Sequence, residues 1–461
     1  MRSFRTITQL FVIAAALFAP LAASAAPMTL VDAVSYALNH SPTVAAKVAS
    51  VAQAEHSVAQ ARYNAFPPVT GSLSNYMSKS SNYGGAYAAI GAQQVPVVSQ
   101  NTAQIGTTYT LNTGGLAFLQ LTSARASAAQ AREDLANTED QIATTVAAAY
   151  FQVMQNQAIV DVDQSDLTYQ NLLVGVAKAK EKAGVVAGVD VLKAQVQQAK
   201  SASTLVGAKA DVENARENLA HTIGAPLDTQ FAFHKLANVP KLPNGTIDKL
   251  AQIAANARPD LKAAQESLIA AQQTRKGWNR ELFPTIQMNA AIGNQFAPTS
   301  AGQIVGVDQN GAPIVVPRGT PGFWTISAQT TFQLPLVDYN QRHSERVADD
   351  AQVSSAQLVL DQTRSQVELD VRQSYRAAQT ALAQVSYAQD ESRLGTESAR
   401  IAQLQYQRGL ITLADVLQTQ QQSVIAQSDF VNARVAYVNA IVKLRVSLGI
   451  YDARSAVADL Q

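Results

Sequence analysis

Apolar positions along the chain follow two alternating regimes. From Leu116 to Glu181 they step by three, four and seven at Leu135, Ile142, Val146, Ala149, Val153 and Val160. The same steps return further on at Leu360, Val367, Val371, Ser374, Ala378 and Val385. This spacing draws one narrow seam along a helix and predicts coiled-coil packing. The other faces carry Gln, Ser, Thr, Ala and scattered charge, so a polar side meets water. At ~1.5 Å per residue a helix over 116–181 would be about 100 Å long. Between these helices the period falls to two. Val69, Gly71, Leu73 and Asn75 alternate with Thr70, Ser72, Ser74 and Tyr76, and Ile105, Thr107, Tyr109 and Leu111 with Gly106, Thr108 and Thr110. Ile286, Met288, Ala290 and Ile292, then Trp324, Ile326, Ala328, Thr330 and Phe332, repeat the pattern. Alternating segments of ~10 residues suit tilted membrane-crossing strands, and on pattern alone they suit a solvated hairpin equally. The loops Ser80–Asn101 and Ala297–Pro321 are long and almost uncharged, whereas the other strand ends run straight into helices. That asymmetry favours an outer-membrane barrel.

The chain is written twice. Residues 30–67 align with 247–284 at a constant shift of 217, which sets Pro42 on Pro259 and Phe66-Pro67 on Phe283-Pro284. Further on the shift is 225: Tyr150 falls on Tyr375, Gly184 on Gly409, Asp190 on Asp415 and Gly224 on Gly449. The second copy therefore holds eight extra residues between Pro284 and about Gln341. Each copy reads helix, strand, strand, long helix, tight turn, helix. The opening helix, Leu30 to Ala65, is stopped by Phe66-Pro67-Pro68, because a residue before proline is driven out of the α region. The expected organisation is a signal peptide over 1–25 and a first repeat over 26–246, with strands about 68–113, long helix about 116–181 and return helix about 190–222. The second repeat covers 247–461, with strands about 285–335, long helix about 341–407 and return helix about 415–448.

The start of the chain bears on where it works. Arg2 and Arg5, the apolar stretch Leu10–Ala22 and Ala23-Ser24-Ala25 make up a secretory signal, with cleavage expected after Ala25; a retained anchor is the alternative. No later stretch is long and apolar enough for a spanning helix of ~20 residues. The absence of cysteine excludes disulfides, thiolate metal sites, a cysteine nucleophile and a lipidated N-terminal cysteine. A net charge of +1 gives no reason to expect nucleic acid. The five histidines are scattered without metal-ligand spacing, and no nucleophile elbow or phosphate loop is present, so neither catalysis nor a cofactor is expected. Asn244-Gly245-Thr246 is a weak glycosylation match that a loop explains.

Two hairpins give four strands per chain, too few to close a barrel, and an open edge in lipid costs several kcal/mol for each unsatisfied group. Closure needs further copies. Three would give twelve strands, an even number within the natural range, although two or four are not excluded by arithmetic.

The duplication, the segments Ala37–Pro42 and Ala255–Leu261, and the turns Gly184-Val-Val-Ala-Gly-Val-Asp190-Val-Leu and Gly409-Leu-Ile-Thr-Leu-Ala-Asp415-Val-Leu resemble the TolC-like outer-membrane factor family over essentially the whole mature chain. The resemblance implies a fold mixing α and β: a trimeric 12-stranded outer-membrane β-barrel, four strands per chain, continuing into a long periplasmic α-helical barrel. It implies no enzymatic activity and a tip that is closed at rest.

By the same resemblance, Asp190, Asp415 and Tyr406 stand at the pore constriction, and Gly184, Val185, Gly409 and Leu410 form the adaptor-docking tip. From the residues alone, the aspartates serve equally as helix starts, Asp190 as an N-cap and Asp415 with Gln418 as a capping box. Three copies of each would also ring a pore and favour cations. Ile411 and Gln418 stand where the family example is charged, which predicts a latch of packing and neutral hydrogen bonds. The expected function is a passive exit duct of a tripartite efflux system, a homotrimer in outer-membrane lipid partnered by a periplasmic adaptor and an inner-membrane pump. The alternatives are the outer-membrane channel of a type I protein secretion system and a secreted coiled-coil structural protein.

Overall fold

The computed structural model describes residues 29–64, 66–78, 98–229, 231, 233, 240–243, 245–281, 283–296, 304–315, 323–334 and 339–450. The expected signal peptide, Asn244 of the glycosylation triplet, His234 and residues 80–97 of the first hairpin loop lie outside the described residues. In chain order the elements are α1 (Leu30–His40), α2 (Pro42–Tyr63), β1 (Val69–Ser78), β2 (Val98–Asn112), α3 (Leu116–Lys182), α4 (Gly188–Ile223), α5 (Ile247–Ala257) and α6 (Pro259–Glu281). Then come β3 (Thr285–Phe296), β4 (Ile304–Val307), β5 (Pro313–Val315), β6 (Phe323–Gln333), α7 (Tyr339–Gln407) and α8 (Leu413–Ser447). They form two compact units. One gathers the stretch up to Ala45 with Thr138–Ala257 and Glu368–Gln461, and the other gathers Ala46–Asn137 with Arg258–Val367.

The second of these units holds an antiparallel sheet in the order β1-β2-β3-β6, so β1 and β6 each keep one edge without a strand neighbour. Its register sorts the alternating residues cleanly. Gly71, Ile105, Ile292 and Ile326 lie in one row, and Leu73, Ala103, Asn294 and Trp324 in another on the same face. The opposite face carries Ser72, Gln104, Gly293 and Thr325, then Thr70, Gly106, Ala291 and Ser327. A sheet that covers a water-soluble core buries its apolar face. Here Leu73, Ile105, Ile292, Trp324, Ile326 and Phe332 are exposed, which is the feature that separates a membrane wall from a solvated hairpin. On the small-residue face the backbones approach closely: a Cβ added to Gly293 would stand 3.0 Å from the Ala103 carbonyl oxygen.

The first unit is helical. Leu30, Val34 and Leu38 of α1, Leu219 and Ile223 of α4, and Tyr437, Ile441 and Leu444 of α8 are among its buried side chains. Leu360 of α7 in the second unit and Val367, also there, are buried, as are Val371, Ser374, Ala378 and Val385 in the first, so every position of the second seam is buried. The seam serine is satisfied by a hydroxyl pair, Ser374 to Ser447 at 2.7 Å.

Two expectations need correction. The opening segment is not one helix to Ala65. Ser41 is extended at ψ 121° because Pro42 follows it, so α1 ends at His40 and α2 runs only to Tyr63. The second copy breaks likewise before Pro259. Nor is the second hairpin loop simply a loop, since β4 and β5 pair within it. Their turn is held by the Asp308 carboxylate, which accepts from the amides of Asn310 at 2.9 Å and Ala312 at 2.7 Å. This hairpin lies in the stretch that carries the eight extra residues of the second copy.

Candidate functional site at the helical turns

The two helical turns are built alike. After α3, the Val185 amide reaches back to the Lys180 carbonyl at 2.9 Å and the Gly184 amide to that of Glu181 at 2.8 Å. After α7, Leu410 and Gly409 bond to Gln405 and Tyr406 at 2.9 and 3.0 Å. This double bond pattern closes a helix only if the residue between is left-handed, and Gly184 and Gly409 sit at φ 72° and 80°. The turns leave Val185 and Leu410 exposed.

The helices that follow do not start alike, and here the N-cap assignments are corrected. Asp190 and Asp415 are each the third residue of their helix, not the cap. In α8 the cap is Thr412, whose hydroxyl accepts from the Asp415 amide at 3.3 Å while the Asp415 carboxylate accepts from the Thr412 amide at 3.0 Å and its hydroxyl at 2.6 Å. The box is therefore Thr412 with Asp415, one turn earlier than Asp415 with Gln418. In α4 the cap is Ala187, which has no side-chain acceptor, so Asp190 is left to a loose pairing with Lys193 at 4.0 Å. Related by the repeat, one aspartate is committed to the fold and the other is not.

The Thr412 bonds hold the Asp415 carboxyl below the usual carboxylate range. A carboxylate whose folded pKa is depressed contributes above its unfolded pKa (~3.9) and loses that contribution as pH falls through the folded value. Hydrogen exchange at the Thr412 amide, corrected for its intrinsic rate, is expected to lose protection only below that range. In Asp415→Ala, protection should be absent at every pH. Protection that persists in the variant would place the amide's partner elsewhere.

Tyr406 is buried in a cluster drawn from both copies: Leu173, Val174 and Ala177 of α3, Val191 and Ala194 of α4, Ala402 of α7, and Leu413 and Val416 of α8. Its hydroxyl is buried without a hydrogen-bond partner. Burial, and next the charge of Asp190, push its pKa up. The Lys180 ammonium stands 4.1 Å above the ring centroid and donates to the Tyr406 carbonyl. The structure thus brings Tyr406, Asp190 and Lys180 together and sets Asp415 apart in its cap. Lys180 is absent from the sequence assignments, although it is legible as the one cation whose repeat partner, Gln405, is neutral just before the turn.

A second polar cluster lies one to two turns before Leu173 and Val174 on α3. The buried Asp166 carboxylate accepts from Ser201 at 2.6 Å, Gln420 at 2.9 Å and Gln170 at 3.2 Å. Burial and this carboxylate push the Tyr169 hydroxyl up to about 12 and raise Asp163 as well. Among the described residues no His, Cys, Asp and Glu group could hold a metal, and no helix is long and apolar enough to cross a membrane.

Residues 33–225 and 250–450 match the family described as "Outer membrane efflux protein", two stretches that fit the two copies. Among solved structures the fold is similar to the outer-membrane channel OprN, with 20% identity, 91% of this chain and 89% of that one covered and a TM-score of 0.74. It is similar also to the outer membrane protein VceC of Vibrio cholerae, at 19%, 91%, 96% and 0.72, and to the open MtrE outer membrane channel of Neisseria gonorrhoeae, at 18%, 92%, 89% and 0.73. No curated protein matches the sequence. Those identities carry the fold, and the family match carries more: the chain belongs to the outer membrane efflux protein family and is an outer-membrane channel, not an enzyme.

Proposed function

We propose that the chain is the passive exit duct of a tripartite efflux system, working as a homotrimer that receives small molecules from an inner-membrane pump through a periplasmic adaptor. The observation that carries this reading is the sheet: four strands, two unpaired edges and a bare apolar face. Such a sheet is stable in lipid only when closed by further copies, and three give twelve strands. Its polar face then lines a lumen that the long helices continue. Nothing in the motifs binds a nucleotide, so the energy comes from the pump. Asp190 and Tyr406 stand at the constriction, and Val185 and Leu410, beside Gly184 and Gly409, meet the adaptor.

Cells lacking the chain are expected to become several-fold more sensitive to dyes, detergents or antibiotics. Ile292→Lys, on the apolar face of a central strand, should reproduce that loss, because a cation at mid-bilayer costs about 2–4 kcal/mol per copy. Gln104→Lys, on the lumen face, should leave trimer recovery and resistance intact. Equal recovery of both variants from outer membranes would remove the membrane wall from this account.

A further inference from the structure

Within one chain the first copy packs against the second. Val162 and Tyr169 of α3 line a cleft of about 300 Å³ with Thr396, Ala399 and Gln403 of α7 and Gln420 of α8. Tyr169 donates to the Ala399 carbonyl at 3.4 Å, and Val176 and Leu417 pack onto the cluster around Tyr406. The repeat shift of 225 turns Val162, Tyr169 and Val176 into Tyr387, Leu394 and Ile401, again apolar and again seven apart. It turns Leu417 into Leu192. The first set is half-buried, whereas Tyr387 is 76%, Leu394 58%, Ile401 43% and Leu192 62% exposed. The same contact is therefore written into the chain a second time with both its faces left bare.

We propose that these faces are one head-to-tail interface, in which α7 of one chain packs on α3 and α4 of a second copy in the register of the internal contact. This rests on the trimeric duct reading and adds the pairing. Because the two faces differ, the contact is heterologous and propagates into a ring. Leu394 takes the place of Tyr169 and packs on Val174 of the partner subunit. Glu391 takes that of Asp166 and accepts a hydrogen bond from Gln195 of the partner subunit, which stands for Gln420. Charge agrees: Asp390 and Glu391 on one side meet Lys178 of the partner subunit, the counterpart of Gln403. The internal contact instead buries its carboxylate under Ser201 and Gln420.

The chain has no cysteine, so a pair can be introduced cleanly. Glu391→Cys with Gln195→Cys, treated in membranes with a short bis-maleimide, is expected to give products of two and three chains on denaturing gels. Each single variant should give none. Glu391→Cys with Ser203→Cys, displaced by about 12 Å along α4, should give none either. A trimer by native mass with no product from the first pair, or with equal product from the displaced pair, overturns the pairing and leaves the duct reading standing. A monomer by native mass in membrane extracts overturns both.

Discussion

Replacing Leu410 with aspartate is expected to abolish export while leaving the yield of assembled trimer unchanged. The side chain is 69% exposed and stands outside the cluster around Tyr406, so the fold loses little when it is exchanged. Its backbone keeps the turn, because the bond from its amide to Gln405 does not involve the side chain. The whole effect should therefore fall on whatever covers this residue. Burying a carboxylate in an apolar docking contact costs at least ~2 kcal/mol at a central position, a loss of about thirtyfold or more in adaptor affinity. Val185→Asp, at the equivalent turn of the first copy, should act in the same direction. Drug susceptibility and trimer yield measured side by side decide the matter, and export retained in Leu410→Asp would remove the docking role from this turn.

Much of the architecture was legible because the chain repeats itself. Periodicity of seven and of two located the long helices and the strands, and the double occurrence of a glycine six residues before Asp-Val-Leu located both turns. What pattern could not show is how a shared motif is spent in each copy. Asp190 and Asp415 align perfectly, yet only Asp415 has a threonine three residues before it, while Asp190 has Ala187. That one difference makes a capping box in one copy and leaves a carboxylate available in the other. The signal was present as Thr412-Leu-Ala-Asp415, one turn before the box that was assigned.

Other features were hidden for different physical reasons. The break at Ser41 follows from Pro42, a local rule overridden in the sequence reading by a helical pattern continuing on both sides. The β4–β5 hairpin depends on Asp308 folding back on its own turn, which polar composition alone does not distinguish from an irregular loop. Asp166 and Lys180 sit on helices crowded with polar residues. Only packing tells which of those are buried, so the Asp166 cluster and the Lys180 contact with Tyr406 could not be separated from the solvated faces around them.

Tyr406→Ala is expected to open the tip, raising closed-state conductance and sensitivity to antibiotics too large for the intact outer membrane. Truncating a buried aromatic costs about 3–5 kcal/mol through lost burial and the cavity left behind. That loss falls where the turns of the two copies are packed together. Lys180 also loses the ring beneath its ammonium, a further ~0.5–2 kcal/mol, although the carbonyl it bonds remains. Tyr406→Phe separates packing from hydrogen bonding. The hydroxyl is buried and unpartnered, so removing it discards an unsatisfied group, and the variant should close as tightly as the parent or more so. Conductance of the two variants in planar bilayers distinguishes the possibilities. If Phe opens the tip as far as Ala, the hydroxyl holds a bond in the assembled trimer and the latch is polar. If neither opens it, the constriction is held by Asp190 across the ring of three copies, and steep pH dependence of the closed-state conductance should then appear in place of the flat profile that a packed tyrosine gives.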